Sequence, residues 1–159
     1  MAFTTGGGLY VSRDYQYLLI IDDHAGVRRL LFEVLTDEGY NVEIAASGTE
    51  GIKKAFARIP SLILLDAKMP GKDGFETLNE ITKFAPDVPV IMITAYTELG
   101  TVLEAAKHGI IKHIARKPFD LDDLRLLIRS VLSGNRMEGI SKKNITAVDR
   151  YPRRCSPTT

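Results

Sequence analysis

Leu62-Ile63-Leu64-Leu65-Asp66-Ala67-Lys68-Met69-Pro70-Gly71-Lys72-Asp73-Gly74 decides how this chain folds. Four apolar residues run straight into one aspartate, and turn chemistry follows at Pro70-Gly71 and Asp73-Gly74. A short continuous apolar run bounded by turn signals reads as a strand buried on both faces, the kind found in parallel sheets. Asp66 then stands at the carboxyl end of a central strand, where open α/β sheets place their ligands. Taken alone, such an aspartate is explained as a loop cap. A second acidic site changes the reading: Asp22-Asp23 ends another strand of the same look, Tyr17-Leu18-Leu19-Ile20-Ile21.

Outward from these two strands, the chain alternates. Val27, Leu30, Leu31, Val34 and Leu35 recur at helical spacing, and Gly39 supplies the stop. Tyr40 to Ala45 alternates weakly, as an outer strand does. Ser47 is an N-cap with Glu50 three residues on, a capping box for a helix that carries Ile52, Ala55, Phe56 and Ile59. Phe75, Leu78 and Ile81 mark a third helix, and Val88 to Ile93 is a fourth strand ending in Thr94-Ala95. A short helix over 98–108 stops at Gly109, and Ile110 to Ala115 holds a fifth strand, followed by Lys117-Pro118-Phe119. Asp120 caps a last helix with Leu121, Leu124, Leu127, Ile128 and Val131 on one face. Parallel strands need crossover connections, so five strands alternating with five helices imply an α/β sheet covered on both sides. Among right-handed topologies, the flavodoxin-like (βα)5 doubly wound parallel five-stranded sheet, order 2-1-3-4-5, fits best. Strands 1 and 3 are then neighbours, and Asp22, Asp23 and Asp66 meet at one edge.

The 159 residues are expected to divide into a flexible leader (1–16), one domain (17–133) and a disordered basic tail (134–159). In the tail, Arg136, Lys142, Lys143, Arg150, Arg153 and Arg154 oppose only Glu138 and Asp149, and nothing there reads as helix-turn-helix. A net charge of +1 gives no electrostatic pull toward nucleic acid or membrane. One cysteine, Cys155, offers neither an internal disulfide nor a metal cluster. No apolar run approaches the ~20 residues of a membrane span. A cytoplasmic location is the default expectation.

Three carboxylates held together repel one another unless a cation sits among them. The candidate ligands are oxygens, which argues for Mg²⁺ over the softer-ligand transition metals. His24, opening a helix, is read as a surface or partner contact rather than a ligand. Thr94 and Lys117 also end strands and belong on the same rim. Each alone is explained as a helix N-cap or a surface lysine; four matched strand ends are not. A carboxylate, a divalent cation, a hydroxyl and an ammonium suit transfer of a phosphoryl group onto an aspartate, because the charge of that group spreads over three equatorial oxygens.

Residues 17–133 resemble a response-regulator receiver domain. The residues that carry the resemblance are Asp22-Asp23, Asp66 with Met69-Pro70 and Asp73-Gly74, Thr94-Ala95, and Lys117-Pro118-Phe119. The resemblance implies that Asp66 is phosphorylated by a sensor histidine kinase. It implies Mg²⁺ on Asp23, Asp66 and the Lys68 carbonyl, with Asp22 acting through water, and Lys117 and Thr94 on the phosphoryl group. It also implies a cis Lys117-Pro118 bond. Among receivers, His24 to Arg28, Asp37 to Tyr40, Leu64 to Gly71 and Ile93 to Tyr96 resemble the single-domain type of the sporulation phosphorelay. That type implies onward transfer to a histidine phosphotransferase, with aspartyl phosphatases as further partners. The implied docking face is Gly26, Val27, Leu30, Tyr96, Pro118 and Phe119; Leu30 is read equally well as facing the core.

The expected function is therefore a phosphorelay intermediate without an output domain. The alternative is a stand-alone, chemotaxis-type receiver that binds a target when phosphorylated. Either is a phosphotransferase in the relay sense, not a metabolic enzyme. A haloacid-dehalogenase-like phosphatase is disfavoured, because Lys68 stands where that family has a second aspartate. One departure from the family is a residue in excess between Gly109 and Lys117. Counting forward, His113 takes the family's aromatic switch position; counting back, Ile114 takes it. A one-residue slip puts opposite faces of the strand at stake.

Overall fold

The computed structural model describes residues 16–134 and three short strands outside them, Phe3–Thr4, Leu9–Tyr10 and Ile145–Ala147. The strands of the main sheet are β1 (Tyr17–Ile21), β2 (Asn41–Ala45), β3 (Leu62–Asp66), β4 (Val90–Thr94), β5 (His113–Arg116) and β6 (Ile145–Ala147). The helices are α1 (Ala25–Asp37), α2 (Gly48–Ala57), α3 (Gly74–Phe84), α4 (Leu99–Lys107) and α5 (Leu121–Ser133), with a 3₁₀ turn at Tyr96–Glu98 before α4. The first five strands are parallel and lie in the order 2-1-3-4-5, as expected.

The unbroken apolar runs of β1 and β3 are explained by burial on both sides. Leu19, Ile21, Ile63, Leu65, Met92 and Ile114 pack with Ala55 of α2, Leu78 and Ile81 of α3, and Val102 and Ala106 of α4. Leu18, Ile20, Leu62, Leu64, Ile91, Ile93 and Ala115 pack with Leu31 and Leu35 of α1 and Leu124, Leu127 and Ile128 of α5. The period-2 geometry of a strand thus divides one hydrophobic run between two cores. Each such side chain removed from water contributes about 1.5–3 kcal/mol.

Helix caps follow the expected chemistry, with one shift. Ser47 Oγ accepts from the Glu50 amide, but the Glu50 carboxylate reaches the Ala46 amide rather than that of Ser47. The complete capping box belongs to Asp73 and Glu76 at the start of α3, and Asp120 Oδ1 accepts from the Asp122 and Asp123 amides.

Of the four apolar residues expected on α2, Ile52 and Ala55 face inward, Phe56 does not, and Ile59 lies beyond the helix. Phe56 and Ile59 are exposed, at 71% and 51%, and the helix ends at Ala57. The inward face is made of Gly48, Gly51, Ile52 and Ala55; Gly48 lies against Thr77 and the Lys72 backbone, and Gly51 against Ile21 of β1. A Cβ on Gly51 would stand 2.4 Å from Ile21 Cδ1. Phe56 instead meets Phe84 edge-on, with ring centroids 5.3 Å apart.

The excess residue before Lys117 is taken up in the connection from α4. β5 starts at His113 rather than Ile110, and Ile110 is exposed. From there the register against β4 runs unbroken, Ile91 with His113 through Thr94 with Arg116. Ile114 is buried with Val102 and Ala106 of α4, so the backward count gives the residue that faces α4.

Two additions lie outside 17–133. Phe3–Thr4 pairs antiparallel with Leu9–Tyr10. In the stretch read as tail, β6 pairs antiparallel with β5, Ala115 opposite Ile145 and His113 opposite Ala147, making a sixth strand. The other expectations for leader and tail, including the six basic residues, fall outside the described residues. No described helix is long and apolar enough to cross a membrane.

Candidate functional site

Hydrogen bonds beyond the strands join the carboxyl ends of β1 to β2, β3 to β4 and β5 to β4. The Asp22 amide donates to the Ala45 carbonyl at 3.1 Å, the Ala67 amide to Ile93 at 2.8 Å and the Lys117 amide to Thr94 at 2.8 Å. Arg28, one turn into α1, donates from Nη1 to the Asp22 carbonyl at 2.7 Å. Gly74 sets α3 against the same rim: its amide donates to the Ala67 carbonyl, and a Cβ there would lie 2.3 Å from the Asp66 carbonyl oxygen. Only glycine allows that approach.

These connections bring together the residues that the sequence singled out. Asp22 and Asp66 are buried, at 1% and 4% exposure, and Asp23 is partly exposed. Lys117 Nζ lies 3.3 Å from Asp22 Oδ2 and 3.5 Å from Asp66 Oδ1. Burial first, and then the charge of Asp22, push the Asp66 carboxyl up to about 6, while Lys117 acts in the opposite direction. Thr94 is fully buried and donates from Oγ1 to the Ala95 carbonyl at 3.1 Å. The Lys117-Pro118 bond is cis, as the resemblance implied. The Lys68 side chain turns outward, its Nζ 3.7 Å from Glu98 Oε1, while its backbone hydrogen-bonds the Asp66 carboxylate.

The reading of His24 as a surface or partner contact missed where its ring goes. Although the side chain is 62% exposed, Nδ1 lies 3.0 Å from Asp22 Oδ1, 3.2 Å from Asp23 Oδ1 and 3.7 Å from Asp66 Oδ2. His24 is the N-cap residue of α1, and its side chain makes no capping bond. Its backbone amide donates to Asp22 Oδ1 at 2.8 Å, which holds the ring over the acids. Spacing alone carries no signal for such a placement; it depends on the backbone angles of the cap.

Asp23 Oδ1 and Asp66 Oδ2 are buried without a hydrogen-bond donor. Buried carboxylate oxygens are normally satisfied, and a cation between them would supply the partner this pair lacks. One donor atom from each of Asp22, Asp23, His24 and Asp66 falls within 4.8 Å of the others, a set able to hold a divalent metal ion.

The residues expected to dock partners differ in exposure. Gly26 and Pro118 are exposed, and Val27 and Phe119 are partly buried against the α1–α5 core. Leu30 is 43% exposed, which favours the surface over the core reading. The Tyr96 backbone opens the 3₁₀ turn, and its side chain lies outside the described residues.

Comparisons with known proteins agree with this geometry. The chain is 40% identical over 115 residues to sporulation initiation phosphotransferase F of Bacillus subtilis, covering 72% of this chain and 92% of that protein. It is 37% identical over 116 residues to the regulatory protein AtoC of Escherichia coli, covering 72% of this chain but only 25% of AtoC. A CheY-like response regulator receiver domain protein from Methanospirillum hungatei superposes with a TM-score of 0.70 at 31% identity, over 75% of this chain and 94% of that one. The acidic pocket is of the kind at which receiver domains catalyse phosphorylation and dephosphorylation of their own aspartate, and the family works with sensor kinases and phosphotransfer proteins. Residues 18–129 match the response regulator receiver domain, and the chain belongs to that family.

Proposed function

We propose that the protein is a phosphorelay receiver: Asp66 takes a phosphoryl group from a sensor histidine kinase and passes it to a histidine phosphotransferase in a sporulation-type two-component pathway. The observation that carries this reading is the convergence of Asp22, Asp23, Asp66 and Lys117 in one notch at the strand ends. The relay assignment draws support from the 40% identity across nearly the whole length of the Bacillus subtilis phosphotransferase.

In the forward step an Asp66 oxygen attacks the phosphorus of the donor phosphohistidine. An O–P bond forms, the P–N bond breaks, and the electron pair returns to the imidazole. A carboxyl held near 6 is mostly ionised at neutral pH and available for that attack. The residues suit Mg²⁺ on Asp23, Asp66 and the Lys68 carbonyl, with Asp22 acting directly or through water, where it would neutralise charge on the equatorial oxygens. Lys117, already beside Asp66, balances a second oxygen, and the Thr94 hydroxyl, which donates to the Ala95 carbonyl here, would turn to a third. Onward transfer reverses these bonds on the acceptor histidine. The exposure of Leu30 and Gly26 beside the notch supports docking of a helical partner there, with Pro118 at its border.

Phosphotransfer from a purified sensor kinase tests the reading. Wild type takes label and Asp66→Ala takes none; label retained by the variant overturns the assignment. Rapid chase of that label onto a histidine phosphotransferase supports the relay. Retention of label favours the chemotaxis-type adaptor.

A further inference from the structure

His24 stands in the notch with no role in the phosphoryl chemistry above. We infer that its imidazole is a fourth side-chain ligand of the cation, and that it turns the site toward ions that accept nitrogen, such as Mn²⁺, Co²⁺ and Zn²⁺. The inference rests on reading the notch as a cation site.

Distance supports it first. Metal bonds of about 2.0–2.2 Å at tetrahedral or right angles place neighbouring donor atoms roughly 2.8–3.6 Å apart. Nδ1 lies 3.0 and 3.2 Å from oxygens of Asp22 and Asp23, within the spacing of ligands around one centre, and 3.7 Å from Asp66 Oδ2, just beyond it. Need supports it second. Asp66 is 4% exposed, its Oδ2 has no hydrogen-bond donor, and Asp23 Oδ1 is in the same condition. The ring has one hydrogen at most on Nδ1, and Asp22 Oδ1 is the nearest acceptor. A cation among these atoms satisfies all of them, whereas one N–H does not. Placement supports it third: the His24 backbone amide is fixed to Asp22, and the ring caps nothing in α1.

The chemical consequence follows from ligand type. Mg²⁺ prefers oxygen and keeps its waters, while imidazole suits later divalent ions, whose affinity rises along the first transition row. Three carboxylate oxygens with one nitrogen therefore form a mixed site. A change at His24 alters the ratio of affinities between cations rather than the ability to bind one.

The test uses the whole chain carrying Cys155→Ser, so that the lone thiol takes no part, with and without His24→Gln. Calorimetric titration with Mg²⁺, Mn²⁺, Co²⁺ and Zn²⁺ gives the affinities, and visible absorption of the Co²⁺ form reports nitrogen ligation. His24→Gln is expected to weaken Co²⁺ and Zn²⁺ by about tenfold or more, to leave Mg²⁺ within about twofold, and to shift the Co²⁺ bands. An unchanged ratio of Co²⁺ to Mg²⁺ affinity with unchanged bands overturns the inference. So does a gain in affinity for every ion, which marks the ring as a competitor of the cation. Asp66→Asn separates the two readings: it is expected to weaken every ion. If it weakens none, the cation site itself fails, whereas an unchanged ratio in His24→Gln removes only the role of the imidazole.

Discussion

Leu65 and Asp66 are adjacent in β3 and almost equally buried, at 0% and 4% exposure, yet burial acts on them with opposite sign. The interior of β1 and β3 consists of aliphatic side chains split between two cores, and its removal from water drives folding. One step further along the same strands, burial falls on Asp22 and Asp66, where it is unfavourable and is offset only in part by Lys117. The fold is strong enough to hold a cluster that opposes it. That asymmetry is what a phosphoacceptor site requires, since the charges must stay poised for a cation and a phosphoryl group.

Substitutions that separate the two regions sharpen the contrast. The largest effect is expected in the interior: Leu64→Ala removes a fully buried side chain and is expected to cost about 3–5 kcal/mol by urea denaturation. Gly74→Ala comes next, at about 3 kcal/mol, because the new methyl meets the Asp66 backbone rather than a movable side chain. It is also expected to slow phosphorylation, measured with a small-molecule phosphodonor, since the Asp66 strand end must shift.

Asp66→Asn carries the opposite sign. The folded carboxyl titrates near 6 and an unfolded one near ~4, so folding takes up a proton between those values. Asp66 favours the fold below about pH 4, and that contribution is lost as pH rises through about 6. In metal-free buffer at pH 7.5, Asp66→Asn is expected to be more stable than wild type by on the order of 2 kcal/mol, with the difference disappearing near pH 4. Thermal melts across pH check it; equal stability at every pH would mean that the notch costs the fold nothing. A divalent cation is expected to stabilise wild type and have little effect on the variant. Smallest of all, Phe56→Ala is expected to cost about 0.5–1 kcal/mol, as fits an exposed ring pair rather than a core position.

Much of the fold was legible because β1 and β3 are short apolar runs that end in acids, and a strand buried on both faces within a parallel sheet accounts for both parts of that pattern. Asp22, Asp23, Asp66, Thr94 and Lys117 were legible for the same reason: each marks a strand end, and topology gathers strand ends. What the sequence did not reveal depends on distances between elements. Phe56 and Ile59 fit the helical period, but Gly51 lies against Ile21 of the sheet and Gly48 against Thr77 of α3, and glycines carry no apolar signal. β6 is three residues within a basic stretch, and only the open edge of β5 gives it a partner. The choice between His113 and Ile114 needed the register against β4. The position of the His24 ring needed the geometry of a helix cap.

Ile114 fills the space beneath α4 with a branched aliphatic group restricted at its first torsion. Such a group has no long lever to swing between a pocket and the solvent. Repacking on this flank therefore falls to α4 itself, which the connection over 108–112 joins to β5.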